Sequence, residues 1–334
     1  MRIQNFLSKL ANHIWYESKD PSLALRLLEL IFSKAVNIRR RAYRGGHKKH
    51  VKLDVPIIAV GNITVGGTGK TPLTIWIANY LKSEGYQPGI VSRGYGGRGQ
   101  KSPSQVYPDS DPNLVGDEPV LIAKRTQCPV CVFKRRSEAA LLLIDEAGCD
   151  VIIADDSLQH YSLNRDIEIA LVDGGRRFGN GHMLPAGPLR EPIDRLSQVD
   201  MIVQNQGSTP IGYPMTLSGE RATNLLFPER RILLQKLSGE KVHAMAGIAN
   251  PKNFFEFLRN KGLECTEHSF PDHYDYKPED LSFAKNDVLL MTEKDAVKCS
   301  SFAAENHWYL PIDANLPHSF GPDLLKLLAT KSNG

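Results

Sequence analysis

Two short apolar runs, Val55-Pro56-Ile57-Ile58-Ala59-Val60 and Val151-Ile152-Ile153-Ala154, set the reading of this chain. Neither alternates with polar residues. Each therefore predicts a strand buried on both faces, as in a parallel sheet covered by helices. Residues 88–92, 130–133, 167–173 and 199–204 read the same way, and helical segments over 73–81, from Val120 and over 137–147 lie between them. Repeated strand–helix units predict an α/β fold, a mostly parallel sheet with helices on both faces. Ligands then belong at the carboxyl ends of the strands. A polar stretch over 100–113 reads as loop, and 222–237 carries strand-like runs without site chemistry. A second, smaller α/β unit follows, with a strand over 241–247, a helix over 253–261 and a strand over 287–291. The expected division is 1–36 for N-terminal amphipathic helices, 37–225 for the larger domain, 226–240 for a linker and 241–334 for the smaller domain.

The first 36 residues predict two amphipathic helices broken near Asp20-Pro21. On the second, Arg26, Glu29, Ser33 and Asn37 form a narrow polar stripe, while Leu23, Leu27, Leu28, Leu30, Ile31, Phe32 and Val36 cover most of the remaining circumference. Such a helix ordinarily packs on a core. Here a run of cations follows at once, from Lys34 through Arg39, Arg40, Arg41, Arg44, Lys48 and Lys49 to Lys52, with no acid among them. A wide apolar arc beside cations predicts contact with an anionic membrane surface.

Composition changes this picture little. The 334 residues carry a net charge of +4 and five cysteines, an odd count that predicts a reducing compartment. Cys128 and Cys131 have redox or zinc spacing, but they lead into an apolar run without a second ligand pair and read as buried thiols. No apolar run approaches the roughly 20 residues needed to span a bilayer. Tyr43 alone among Phe, Tyr and Trp interrupts the basic run, which is no series of base-stacking residues, so no nucleic-acid partner is expected.

Chemistry concentrates in Thr64-Val65-Gly66-Gly67-Thr68-Gly69-Lys70-Thr71, between a strand and a helix. In that context a glycine-rich turn is a phosphate cradle, because successive backbone N–H groups and the new helix N-terminus converge on an anion. The motif predicts a nucleoside triphosphate as ligand, with Lys70 reaching the β/γ-phosphates and the Thr71 hydroxyl on Mg²⁺. The first glycine of the strict pattern is replaced by Thr64, and the loop carries the Gly66-Gly67 pair of deviant P-loops. Asp155-Asp156, directly after a buried strand, is the acidic partner that a hard cation requires. Transfer to an alcohol needs a proton acceptor, for which Asp117, Glu118, Glu191, Asp272 and His273 are the polar candidates.

The chain resembles the tetraacyldisaccharide 4'-kinases, the lipid A 4'-kinases of Gram-negative bacteria. The resemblance rests on Val60-Gly61-Asn62-Ile63 running into the P-loop, Ser92-Arg93-Gly94-Tyr95, Val115-Gly116-Asp117-Glu118-Pro119, Asp155-Asp156-x-Leu158-Gln159-His160, Leu184 to Glu191, Ala246 to Pro251, Phe270-Pro271-Asp272-His273 and Thr292 to Lys298. It implies ATP-dependent phosphorylation of the 4'-hydroxyl of a tetraacylated glucosamine disaccharide 1-phosphate, at the cytoplasmic face of the inner membrane and without a required protein partner. It also implies Asp117 as proton acceptor acting with His273. Asp155, Asp156 and Glu191 carry over as acids around Mg²⁺, and Asn62, Arg93, Tyr95, Gln159, His160, Arg190 and Asp272 as neighbours. Two departures stand out: Ser157 where the family usually has glycine, and Tyr274 where a second histidine is frequent.

Two other readings compete. A GTPase needs Asn-Lys-x-Asp late in the domain, and Thr292-Glu293-Lys294-Asp295 lacks the asparagine and sets the lysine one position late. A membrane-bound switch ATPase of the deviant P-loop type has a lysine before the Gly-Gly pair, where this chain has Val65.

Overall fold

The computed structural model describes residues 10–17, 20–207 and 209–332, and structural statements below refer to these. The larger sheet contains β1 (Ile57–Gly61), β2 (Pro88–Ser92), β3 (Ser104–Val106), β4 (Val130–Val132), β5 (Val151–Ala154), β6 (Ile167–Asp173), β7 (Met201–Asn205), β8 (Tyr213–Ser218) and β15 (Asp313–Asn315). Their order is β15-β8-β7-β6-β1-β5-β2-β4-β3, parallel throughout except for the two antiparallel edge strands, β3 and β15. β1 and β5 are buried along their whole length, which is why their sequences do not alternate.

Helices cover both faces, as the periodicity predicts. Leu73, Ile77 and Leu81 of α2 (Lys70–Ser83) and Val120 and Ile122 of α3 (Asp117–Thr126) pack with Ile58 and Val60 on one face. On the other, Ala139 and Leu143 of α4 (Arg136–Ala147) pack with Ile57, Ala154 and Phe133. Gly148, at φ 63, ends α4 in the left-handed conformation that a residue without Cβ adopts freely.

A second sheet, ordered β10-β9-β14-β13-β11-β12, contains β9 (Arg221–Asn224), β10 (Arg231–Leu233), β11 (Val242–Ala246), β12 (Thr266–Ser269), β13 (Val288–Thr292) and β14 (His307–Leu310). α5 (Pro251–Asn260) buries Phe254, Phe255 and Leu258 against it. α6 (Glu293–Cys299) starts at Thr292, whose hydroxyl accepts from the Asp295 N–H.

The division of the chain differs from the expected one at both ends of the smaller unit. β9 and β10 pair into the smaller sheet, because β9 satisfies its ladder against β14. The chain then returns: β15 pairs with β8, and Phe320, Leu324 and Leu328 of α7 (Phe320–Ser332) join the larger core. The main chain therefore crosses between the sheets twice, at 218–221 and 310–313.

The second N-terminal helix, α1, runs from Leu23 to Arg44, beyond the expected end at Val36, because no stop signal precedes Gly45-Gly46. The cations Arg39, Arg40, Arg41 and Arg44 are therefore helical. Phe32 and Val36 pack on the protein, and Glu29 pairs with His182 Nδ1 at 2.9 Å and accepts from the Met183 N–H at 2.7 Å. Leu23, Leu27, Leu28, Leu30, Ile31 and Ile38 remain exposed, Leu23 at 74% and Ile31 at 66%. Much of the expected first helix lies outside the described residues; 10–17 are helical, and Trp15 Nε1 donates to the Pro185 carbonyl at 3.0 Å. Among the described residues no helix is long and apolar enough to cross a membrane.

Candidate active site

A cleft of about 1120 Å³ lies along the carboxyl edge of the larger sheet, closed by the smaller unit. One wall is residues 65–71, held from three sides. Val65 N–H donates to the Pro188 carbonyl at 2.8 Å, Asn62 Nδ2 reaches Thr68 Oγ1 at 3.3 Å, and Asn205 Nδ2 donates to the Thr68 carbonyl at 3.0 Å. Gly66 and Gly69 take φ of 113 and 96. A Cβ on Gly69 would also press on Asn205 Nδ2 at 3.0 Å, so glycine is required there for conformation and for space. The loop is thus a fixed cradle whose lysine, Lys70, lies 3.6 Å from Asp156.

Asp155 and Asp156 follow β5 as the sequence predicts. Asp155 is buried and accepts from Thr74 Oγ1 at 3.1 Å. Burial, together with the charges of Glu118 and Asp156, pushes its carboxyl up to about 7 against the pull of Lys70 and the Thr74 hydroxyl. Burial also raises Asp156, but Lys70 and Arg190 outweigh it and hold that carboxyl below its ordinary range. Arg190 Nη1 lies 3.3 Å from Asp156. Ser157 is buried and donates to the Asp155 carbonyl at 2.9 Å. The left-handed residue of this turn is Asp156, at φ 44, so serine causes no strain at 157.

Glu191 lines the cleft, but its charge is engaged: Tyr161 Oη donates to Oε1, and Arg195 Nε lies 3.2 Å from Oε2. Gln159 Nε2 donates to the Asn62 carbonyl at 2.9 Å. His160 stands by Arg136 at 3.4 Å and Ser162 at 3.0 Å. Burial, reinforced by four nearby arginines, drives its imidazole down to about 4, so it is neutral at pH 7. Arg39, Lys70, Arg93, Lys134, Arg136 and Arg190 line the cleft as cations suited to a polyanion.

The opposite wall brings Asp117 and His273 together across the two units. Asp117 begins α3 and is 3% exposed, and His273 Nδ1 lies 3.0 and 3.1 Å from its two oxygens. Burial raises the Asp117 carboxyl, but the hydrogen bond from His273 and the charges of Lys294, His273 and Lys298 prevail and hold it below its ordinary value. Tyr95 packs on the His273 ring at 5.0 Å, and a Cβ on Gly96 would meet that ring at 3.0 Å. Asp272 pairs with Lys294 at 3.0 Å. Tyr274 turns away, its ring against Phe270 and Tyr276 and its hydroxyl on Asp280 at 3.3 Å, so it supports the loop that presents His273.

Every sequence-predicted site residue except Asn62, Thr64 and Asp117 lines this one cleft; Asn62 and Asp117 stand directly behind it, the former bracing the loop and the latter holding His273. Thr64 is buried at the base of the loop, bridged to Leu189. Sequence reasoning missed Asn205, Arg136, Lys294 and Lys298. The lysines belong to a stretch that contributes to the family resemblance and fails as a guanine motif, and neither reading gives them a role.

Fold and site define a P-loop phosphotransferase with an Asp–His pair opposite the phosphate cradle. Comparison with known proteins narrows the class. The family description "Tetraacyldisaccharide-1-P 4'-kinase" matches residues 21–329. The chain is 49% identical over 328 residues to a tetraacyldisaccharide 4'-kinase of Nitrosococcus oceani, covering 96% of this chain and 95% of that one. The corresponding protein of Coxiella burnetii is 44% identical over 320 residues, with 96% and 95% covered. A crystal structure of LpxK from Aquifex aeolicus in complex with ATP superposes with a TM-score of 0.75 at 29% identity, covering 91% of this chain and 98% of that one. The chain belongs to the tetraacyldisaccharide-1-P 4'-kinase family, and its activity is that of a kinase acting on an alcohol group.

Proposed function

We propose that the cleft transfers the γ-phosphoryl group of ATP to the 4'-hydroxyl of a tetraacylated glucosamine disaccharide 1-phosphate, with the P-loop and the Asp117–His273 pair as the two halves of the machinery. One observation carries this assignment of roles: Lys70 and His273 line the same cavity from opposite units. Residues 65–71 hold the phosphates, and Lys70 meets the charge that builds on the transferring group. The acceptor O–H bond breaks as its oxygen bonds to phosphorus. The Asp117–His273 pair takes the proton, and the bond to ADP is released. An anionic Asp117 that accepts from His273 Nδ1 orients the imidazole for this role.

Mg²⁺ fits the acidic end of the cleft. Asp155 is a buried carboxylate with a hydroxyl as its hydrogen-bond donor, a position where a cation relieves the cost of burial. Among the described residues no three His, Cys, Asp or Glu side chains form a metal cage. That agrees with magnesium, which keeps waters and phosphate oxygens and takes only one or two carboxylates. Asp155, Asp156 and the Thr71 hydroxyl would hold it; Glu191 stands in the same wall with its charge committed to Arg195. When bound, Mg²⁺ supplies charge neutralisation to the phosphates.

The lipid character of the acceptor is supported at α1. Phe32, Val36 and Arg39 of that helix line the cleft, while the leucines of its outer surface are exposed. Acyl chains in a membrane and a sugar hydroxyl in the cleft are thereby served by one helix, which supports peripheral attachment at the cytoplasmic face of the inner membrane. The test is transfer of labelled γ-phosphate to a purified disaccharide acceptor, with the product position assigned by NMR. Product phosphorylated at O4' is expected. ATP hydrolysis indifferent to the acceptor would instead favour the switch ATPase.

A further inference from the structure

Two lysines of α6, one helical turn apart, converge on the proton-accepting pair. Lys294 Nζ lies 3.0 Å from Glu118 Oε1, 3.0 Å from Asp272 Oδ1, 3.5 Å from His273 Nε2 and 4.0 Å from Asp117 Oδ1. Lys298 Nζ lies 3.7 Å from Asp117 Oδ2 and 3.0 Å from Asp295 Oδ1. It is buried, stands over the Tyr276 ring at 4.8 Å, and has no acceptor in hydrogen-bond geometry. Asp295 is fully buried and already accepts from the Gly247 N–H, Thr292 Oγ1 and Tyr276 Oη at 2.9, 2.6 and 3.1 Å. The smaller unit thus fixes one carboxylate and uses it to hold an ammonium against a second carboxylate that belongs to the larger unit.

Burying an ammonium costs several kcal/mol unless opposite charge repays it. Holding the two units together does not require that expense at Lys298, because Lys294 with Glu118, and Arg125 with Glu293 at 2.7 Å, already tie α3 to α6. What Lys298 adds is charge beside Asp117. Burial pushes the Asp117 carboxyl toward protonation, and a protonated carboxyl is a weaker acceptor for His273 and takes up no proton.

We propose that Lys294 and Lys298 are positioning residues for phosphoryl transfer, holding Asp117 as an oriented anion and completing a proton acceptor that neither unit carries alone. The inference rests on the Asp117–His273 reading and adds the groups that make it work. Facing Asp117 are His273 from the 271–275 loop, Lys294 and Lys298 from α6, and Glu118 beside it on α3; Asp272 and Asp295 stand behind the lysines. Of these, the hydrogen bond from His273 and the two lysine charges favour the anion, and their balance with burial leaves Asp117 below its ordinary value.

The experiment is the pH profile of kcat for Lys298→Met and Lys298→Arg, with Asp117→Asn as reference. Rate requires ionised Asp117, so activity falls as pH drops through its apparent pKa. Removing an opposite charge at this range moves a carboxyl by about one to three units. The acid limb of Lys298→Met should therefore shift upward by about one unit or more, costing roughly tenfold at low pH and recovering as pH rises. KM for ATP should stay unchanged, and Lys298→Arg should restore the limb. A uniform loss at every pH, or a loss confined to melting temperature, would mean packing alone and would overturn the proposal. If Lys298→Met does not fold, Lys294→Met, at the open cleft, must show the same shift or the proposal is wrong. Asp117→Asn should be inactive at all pH values. Activity retained in that variant would instead overturn the Asp117–His273 reading, so the two failures are distinguishable.

Discussion

Lys70 sits where the P-loop turns into α2, and its nearest anion in the protein is Asp156 at 3.6 Å. Phosphates entering the cradle compete for that lysine, and its charge then faces the group being transferred. Lys70→Ala should leave the fold intact and lower kcat at least roughly a hundredfold, the scale of losing one preorganised donor. Steady-state kinetics beside a thermal melt check this; near-normal turnover in a folded variant removes Lys70 from the chemistry. Lys70, Asp155 and Asp156 were legible because their meaning is local, a glycine-rich turn and an acid pair each following a buried strand. Lys294 was not. It acquires its role by meeting Glu118, 176 positions earlier in the chain, and no local pattern announces such an approach. The same holds for the contacts of Glu191 with Arg195 and the Tyr161 hydroxyl, which nothing in its own stretch announces.

At the scale of elements, α1 shows how a correct periodicity leaves orientation open. Its apolar arc and polar stripe were readable, but the stripe does not simply face water: Glu29 turns inward to His182 and Met183, and Arg40 is buried with its Nη2 on Gln198 Oε1 at 2.8 Å. These anchors hold the helix so that Leu27 and Ile31 point away from the core, at 55% and 66% exposure. Burying such a side chain among acyl chains is worth roughly 1.5–3 kcal/mol when complete. Leu27→Glu with Ile31→Glu should therefore weaken vesicle binding at least about tenfold, raise KM for the lipid acceptor and leave the melting temperature unchanged. Cations beside the arc make the parent's binding fall with salt. Liposome co-sedimentation at two ionic strengths measures this, and a folded double variant that sediments like the parent would refute membrane contact through α1.

The whole molecule is two sheets joined by two crossings, and the acceptor pair spans both. The sequence suggested one crossing, because 241–334 reads whole as the smaller domain and nothing in the C-terminal residues says which core they join. Phe320 decides that by packing edge-on to Trp76 of α2 at 5.3 Å. The second crossing makes the relative placement of the units a property of how the two strands of the hinge fit together. They touch at Gly219, where a Cβ would lie 2.8 Å from the Pro311 carbonyl and 2.9 Å from Ile312 Cδ1. Ile312 itself lines the cleft. Gly219→Ala must push the crossings apart and shift the smaller unit, carrying His273 and α6 relative to Asp117. The P-loop, built wholly within the larger unit, stays as it is. Misplacing a reacting group by about 1 Å can cost on the order of a hundredfold. The variant should therefore lose at least about tenfold in kcat while KM for ATP changes by less than about twofold. Because the nearest contact of the added methyl is the Pro311 backbone carbonyl, moving the Ile312 side chain alone cannot absorb it. Parent-like kcat in Gly219→Ala would show that the two units hold their alignment without the fit of the crossings.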